Sequence, residues 1–499
     1  MFQKSFQRII NSSLPLLILG GASLFLYFFL GFLTRNLLGG EMDTLLMRFP
    51  ASFSFIKSSS YLLFLFYTLV LIWAVRQSKS VSIRPSYWII AIVFFLLFCT
   101  ILLAIPPLTS QDVFWNLFQG RIFTHYQQNP YLVTPQEFPG DPYFGLIRVW
   151  QDFPMTHGPI WTLLVSAVSI LTPNNLFSSL FILRMVLFII LGLVIGLTVL
   201  VVRRINPLWS FPAFIALSWQ PLLLINTINN ASNDIIIALT AILGLFLISR
   251  GRYFQGFAVL WIGVLVKYVI LLLIPLGIIF VIHRHGLKAM IKIITPIIGI
   301  IVLLTLIAYL PFGYNIFQFS GLSYQSRLFE YTVLPPVPFW LVTVGRTISE
   351  INIKEIIGND QQIPLSLFKD RTALESLVLF VRILSMAIFL VFYFWLVFKP
   401  FQNERDLFRR GFWIFAVYLL IAPFWFMSWY LIWLIPLAVV SGLAPTLIVL
   451  GWSVIAFPYP FPNLQLITLI VFMSILLVLT TPIGKKIISA FKNQENMIR

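Results

Sequence analysis

Along the chain, apolar runs alternate with short polar breaks, and most runs approach the roughly 20 residues needed to cross a ~30 Å hydrocarbon layer. The pattern predicts spans near 14–33, 60–75 and 87–105, then near 178–202, 208–226, 233–249, 293–311 and 376–398. A last group falls near 411–427, 430–443, 446–458 and 464–482. The run 160–171 is too short for a comfortable crossing and predicts a re-entrant or surface helix. Two further short runs, 256–267 and 270–283, are separated by Lys267-Tyr268. The positions of the basic residues predict that they form a broken pair running out to Lys267 and back. The expected architecture is an all-α polytopic membrane protein with about 13–14 transmembrane segments and juxtamembrane helices in its first large external loop. The predicted divisions are N-terminal spans over 1–106, an external catalytic loop over 107–159, core spans over 160–311, a second external loop over 312–375 and C-terminal spans over 376–499.

The polar break from Ser110 to Trp161 is much longer than its neighbours, and loops of that length usually carry function. Asp112 follows an apolar run and Pro106-Pro107, where a span meets water, and Ser110 is placed to cap the helix that Asp112 opens. At helical spacing Phe114, Leu117, Phe118 and Ile122 share one face, with Trp115, Asn116 and Gln119 on the other. That spacing predicts a helix lying on the membrane surface, its polar face turned toward a watery pocket. Asn129-Pro130-Tyr131 and His157-Gly158-Pro159 punctuate the rest of the loop.

Composition settles the class. The chain is 60% hydrophobic and 10% charged, with a mean hydropathy of +0.96, which excludes a soluble globular protein. Its net charge of +17 lies mainly in short Lys/Arg clusters between apolar runs, so it marks cytoplasmic loops and not a nucleic-acid partner. The lone Cys99 excludes an internal disulfide and a cysteine-based metal site. On this charge pattern both termini are cytoplasmic, and Asp112 faces the other side.

Few polar groups lie within or beside the apolar runs, and each has two readings. Asp234 is a functional acid or part of an ordinary helix start with Ser232 and Asn233. Asn229, Asn230 and Asn233 suit sugar hydroxyls or form a plain polar turn. Lys267 holds a lipid phosphate or snorkels without a ligand. His157 is a proton carrier or packs the loop. The FWFMSWYLIW run containing Trp429 and Tyr430 reads as an interfacial aromatic belt.

In order, Ser110-Gln111-Asp112-Val113, Gln119-Gly120-Arg121, Asn129-Pro130-Tyr131, His157-Gly158-Pro159-Ile160-Trp161, Gln220-Pro221 through Asn233-Asp234, and Val266-Lys267 resemble the polyprenol-phosphate-mannose-dependent α-1,6-mannosyltransferases of bacterial cell envelopes, members of the GT-C class. The likeness covers roughly 105–275, with departures at His157, Ser232 and Gln220. It implies a bacterial plasma-membrane enzyme with an extracytoplasmic site, which transfers a sugar with inversion from a polyprenyl-phosphate donor to a glycan or glycolipid acceptor. Asp112 would be the general base. Lys267 and Arg327 would face the donor phosphate, while Asn233, Asp234, Asn230, Asn129, Tyr131, His157 and Gln119 would contact sugar or acceptor. Arg121 would brace the loop. Asp112 and Asp234 are able to share a divalent ion, but a cation at the phosphate makes a metal cofactor unnecessary, and none is expected. A lipid-linked sugar flippase, or a polymerase or ligase of lipid-linked glycans, would share many of these features.

Overall fold

A computed structural model describes residues 12–38, 53–78, 83–147, 150–313, 371–422 and 426–457. Among them every regular element is helical. Seven helices are long and apolar enough to cross a membrane, eight if one bent pair is a single span, so the chain is an integral, polytopic helical membrane protein. The remaining apolar helices are shorter, and the predicted span at 464–482 lies outside the described residues. Helices suit this setting because each satisfies its own backbone groups where no water reaches them.

The first three helices, α1 (Leu14–Leu38), α2 (Phe53–Gln77) and α3 (Pro85–Ala104), lie where the apolar pattern predicts. Next comes α4 (Asp112–Thr124), and here the expectation of a surface-lying helix gives way. All of Val113–Ile122 is buried, including the polar Asn116, Gln119 and Arg121. The neighbour α5 (Pro159–Leu171) passes so close that a Cβ on Gly120 would sit 2.5 Å from the Val165 carbonyl oxygen. Helix α4 is therefore covered by protein on the side that the amphipathic pattern assigned to lipid, while Asp112, Trp115 and Asn116 on its polar side line a cavity.

A long helix, α6 (Leu176–Ile205), ends at Arg203-Arg204. The following span, α7 (Ser210–Ser218) with α8 (Pro221–Leu224), is bent by 52° at Gln220-Pro221, where proline removes a backbone donor. It ends in a π-helical turn, Ile225–Asn229, a wider coil that often marks functional sites. Then α9 (Asp234–Ser249) and α10 (Tyr253–Val264) run in opposite senses. The chain breaks at Leu265–Lys267, and resumes as a 3₁₀ turn leading into α11 (Leu273–His285). The out-and-back pair is real: the Tyr253 hydroxyl, at the start of α10, meets His285 Nε2 at 2.6 Å, at the end of α11. Gly286, at φ +80°, supplies the left-handed backbone that turns α11 tightly into α12 (Leu287–Tyr309).

Helices α13 (Arg371–Phe398), α14 (Glu404–Ile421), α15 (Leu434–Ser441) and α16 (Leu443–Ala456) complete the described bundle. Cross-helix hydrogen bonds fix the packing: Trp209 Nε1 donates to the Val439 carbonyl (2.9 Å), Trp219 Nε1 to Ala91 (3.1 Å) and the Tyr393 hydroxyl to Leu272 (3.0 Å). The ends of α6, α9 and α11 that carry Arg203-Arg204, Arg250 and His283-Arg284-His285 gather together, with Arg284 Nη1 donating to the Ser249 carbonyl at 3.0 Å. The opposite ends of these helices carry the polar groups considered next.

Candidate functional site

The segment leading from α3 to Asp112 is held by residues from two distant helices. Arg184, buried in α6, donates to the carbonyls of Leu103 (3.1 Å), Ile105 (2.7 Å) and Asn229. Charge on its guanidinium complements the carbonyl end of α3. Asn229 accepts from the Leu108 N–H (2.7 Å) and donates to the Pro106 carbonyl (2.9 Å). Asn230 uses both amide hydrogens, on Thr109 Oγ1 (2.6 Å) and Asn226 Oδ1 (2.9 Å). These asparagines serve first as staples that bring the approach to α4 alongside the approach to α9.

A second staple sets the other flank. The Gly158 N–H donates to the Val266 carbonyl (2.9 Å) and the Ile160 N–H to Leu265 (3.1 Å), so the end of the long loop clasps the chain break before Lys267. Only glycine fits there, because a Cβ on Gly158 would fall 2.6 Å from the Leu265 carbonyl carbon.

Between the staples lies a cavity of about 280 Å³, near the roughly 300 Å³ lower bound of small-molecule sites. Asp112, His157, Asn230, Asn233, Asp234 and Lys267 all line it. Gln119, Asn129 and Tyr131 do not: Gln119 Nε2 bonds the Phe153 carbonyl (3.2 Å), Asn129 Nδ2 bonds Phe312 (2.7 Å), and the Tyr131 hydroxyl bonds the His157 carbonyl (3.0 Å). These three hold the loop from behind. Arg121 does so too, through its buried ion pair with Asp141 at 2.7 Å. Arg327 lies outside the described residues.

The two cavity carboxylates differ. Asp234 is closely held: its Oδ1 accepts from Lys267 Nζ (2.7 Å) and Trp433 Nε1 (2.6 Å), and its Oδ2 from the Ser232 hydroxyl (2.6 Å). Asp112 is held more lightly, with Trp150 Nε1 donating to its Oδ1 at 3.1 Å and Ser110 Oγ accepting its backbone N–H at 3.2 Å. Burial pushes the Asp112 carboxyl above the usual carboxylate range, against the opposing pull of the Trp150 bond and the Lys267 charge. His157 is driven well below its ordinary value by burial and then by Lys267, so its imidazole is neutral at pH 7. Among the described residues no group of three His, Cys, Asp or Glu side chains is placed to hold a metal ion.

The remaining wall is aromatic and comes from the run read as a membrane belt. Tyr430 and Trp433 stack with centroids 4.6 Å apart, and Lys267 Nζ lies 5.0 Å and 5.8 Å from their ring centres. Their spacing of three in sequence puts them on one helical face, a signal available in the residues themselves. Trp150 carried no such signal. It and Ala231, two of the four non-glycine residues with positive φ among those described, both line the cavity (φ 73° and 53°). Backbone in this region is uncommon outside glycine and collects at functional sites.

A family model described as alpha-(1->6)-mannopyranosyltransferase, N-terminal domain, matches residues 29–283, just over half of the chain. No curated protein and no solved structure matches it. The matched stretch contains Asp112, His157, Asn233, Asp234 and Lys267, and ends before the aromatic wall. The chain therefore belongs to the alpha-(1->6)-mannopyranosyltransferase family and is a mannosyltransferase of the membrane-embedded, helical kind.

Proposed function

We propose that the cavity transfers mannose, with inversion, from a polyprenyl-phosphate donor to a hydroxyl of a glycan or glycolipid acceptor, on the extracytoplasmic face, as in GT-C glycosyltransferases. The observation that carries this reading is the meeting of Asp112, Asn233, Asp234 and Lys267 in one cavity. Asp112 and Lys267 come from separate segments at the ends of apolar helices, and a proton acceptor and a phosphate-holding cation are the two groups this reaction needs.

In this reading Asp112 accepts the proton of the acceptor hydroxyl as its oxygen bonds the anomeric carbon. The bond from that carbon to the phosphate oxygen breaks, and its electron pair leaves with the polyprenyl phosphate. Lys267 stabilises the charge that grows on the departing phosphate. Asp234 keeps the ammonium aimed into the cavity, and the neutral His157 adds no competing positive charge. Lys267 supplies the cation at the phosphate, so this reading needs no metal ion.

Purified protein supplied with polyprenyl-phosphate mannose and a mannose-terminated acceptor should form product, and Asp112→Asn should lose roughly a hundred- to ten-thousandfold in kcat. Full activity in Asp112→Asn would remove it from the base role. Movement of the lipid-linked sugar across vesicles without transfer would replace the reaction by a flippase.

A further inference from the structure

We propose that Trp429, Tyr430 and the Asn233 amide form the subsite for the hexose ring of the donor. The inference rests on the reading of Lys267 as the holder of the donor phosphate.

Trp429 and Tyr430 are half-buried, line the cavity and meet at 90° with centroids 6.4 Å apart, so they present a corner made of one ring face and one ring edge. Tyr430 is braced from behind by Trp433, which is itself tied to Asp234. A hexopyranose has an apolar face of C–H bonds and a polar rim, and the negative face of an aromatic ring attracts the former. The rim needs hydrogen-bonding groups. Asn233 offers one: the residue lines the cavity, is 4% exposed, and its side-chain nitrogen has no partner among the described residues. A buried donor left unmade costs about 1–3 kcal/mol, which a sugar oxygen would recover. The position selects the donor sugar over the acceptor. Lys267 Nζ is 5.0 Å from the Tyr430 ring centre, and in a polyprenyl-phosphate hexose the ring joins the phosphate directly through its anomeric carbon. A phosphate on the ammonium therefore leaves its sugar against this wall, with the lipid tail leading away from it.

The test uses full-length protein in nanodiscs and three constants: KM for polyprenyl-phosphate mannose, the inhibition constant of sugar-free polyprenyl phosphate, and KM for the acceptor. Tyr430→Leu should raise donor KM about tenfold and leave the other two within about twofold, whereas Tyr430→Phe, which keeps the ring, should resemble wild type. Asn233→Ala should raise donor KM about fivefold without lowering the thermal midpoint, since its side-chain nitrogen has no bond among the described residues to lose. Lys267→Ala should weaken the sugar-bearing and sugar-free ligands alike. The proposal is overturned if Tyr430→Leu and Asn233→Ala leave donor KM unchanged, if the sugar-free constant moves with it, or if acceptor KM moves instead. Wild-type protein that binds the sugar-bearing lipid more tightly than the sugar-free one yet transfers nothing would sink the transfer reading alone.

Discussion

Asp112 and Asp234 sit in the same cavity at the start of two helices, yet one is held lightly and the other closely. Three donors reach Asp234. Asp112 is met by the Trp150 indole and the Ser110 hydroxyl, with no paired cation at bonding distance among the described residues, and its proton affinity is raised by burial. The contrast teaches that position at a helix start does not decide a carboxylate's role. Its neighbours do, by leaving one acid free to take a proton and committing the other to hold a cation.

Substitutions that treat the two acids alike break or sharpen this contrast. Asp112→Asn keeps the shape and the Trp150 contact and should lose roughly a hundred- to ten-thousandfold in kcat with an unchanged thermal midpoint. If it loses stability instead of rate, the contrast fails. Gly158→Ala should come next, destabilising the clasp by about 1–3 kcal/mol through overpacking against Leu265. The same change at Gly140, where a Cβ meets nothing within 4 Å, should be silent in thermal unfolding. Asp234→Asn removes the counter-charge of Lys267 and should cost a similar or smaller amount, about 1–3 kcal/mol, with donor KM rising more than kcat falls. A kcat collapse matching Asp112→Asn would make Asp234 a second reacting group. The smallest effect concerns pH. Activity should fall as pH drops through the raised Asp112 value, because the protonated acid accepts nothing. Trp150→Phe removes a bond to the ionised form, so the acid limb should move upward. A limb that stays put or moves down would show that Trp150 does not face the ionised carboxylate.

Much of the bundle was legible because a bilayer leaves few options for apolar runs: the helix over 159–171, the spans up to α6 and the break at Lys267 follow from length and charge. The residues at the ends of those runs, Asp112, Asn233, Asp234 and Lys267, were legible for the same reason, since a charge or amide at that depth needs a partner. Polar groups inside the long loop were harder to read. Gln119, Asn129 and Tyr131 satisfy backbone carbonyls, and a side chain that serves the backbone has the same identity as one that serves a ligand. The surface-lying reading of α4 missed because its amphipathic spacing does not reveal that α5 covers it. Tyr430 and Trp433 hid among 50 Phe, 17 Tyr and 15 Trp residues, where an interfacial belt accounts for most aromatics.

The two backbone bonds that join Gly158 and Ile160 to Leu265 and Val266 have a mechanical consequence. They join the end of the loop to the broken helix pair, so the backbone positions of His157 and Lys267 are set by one shared clasp. Trp433, bonded to Asp234, ties the C-terminal wall to the same lysine, so a replacement that loosens the clasp should be felt on both sides of the cavity.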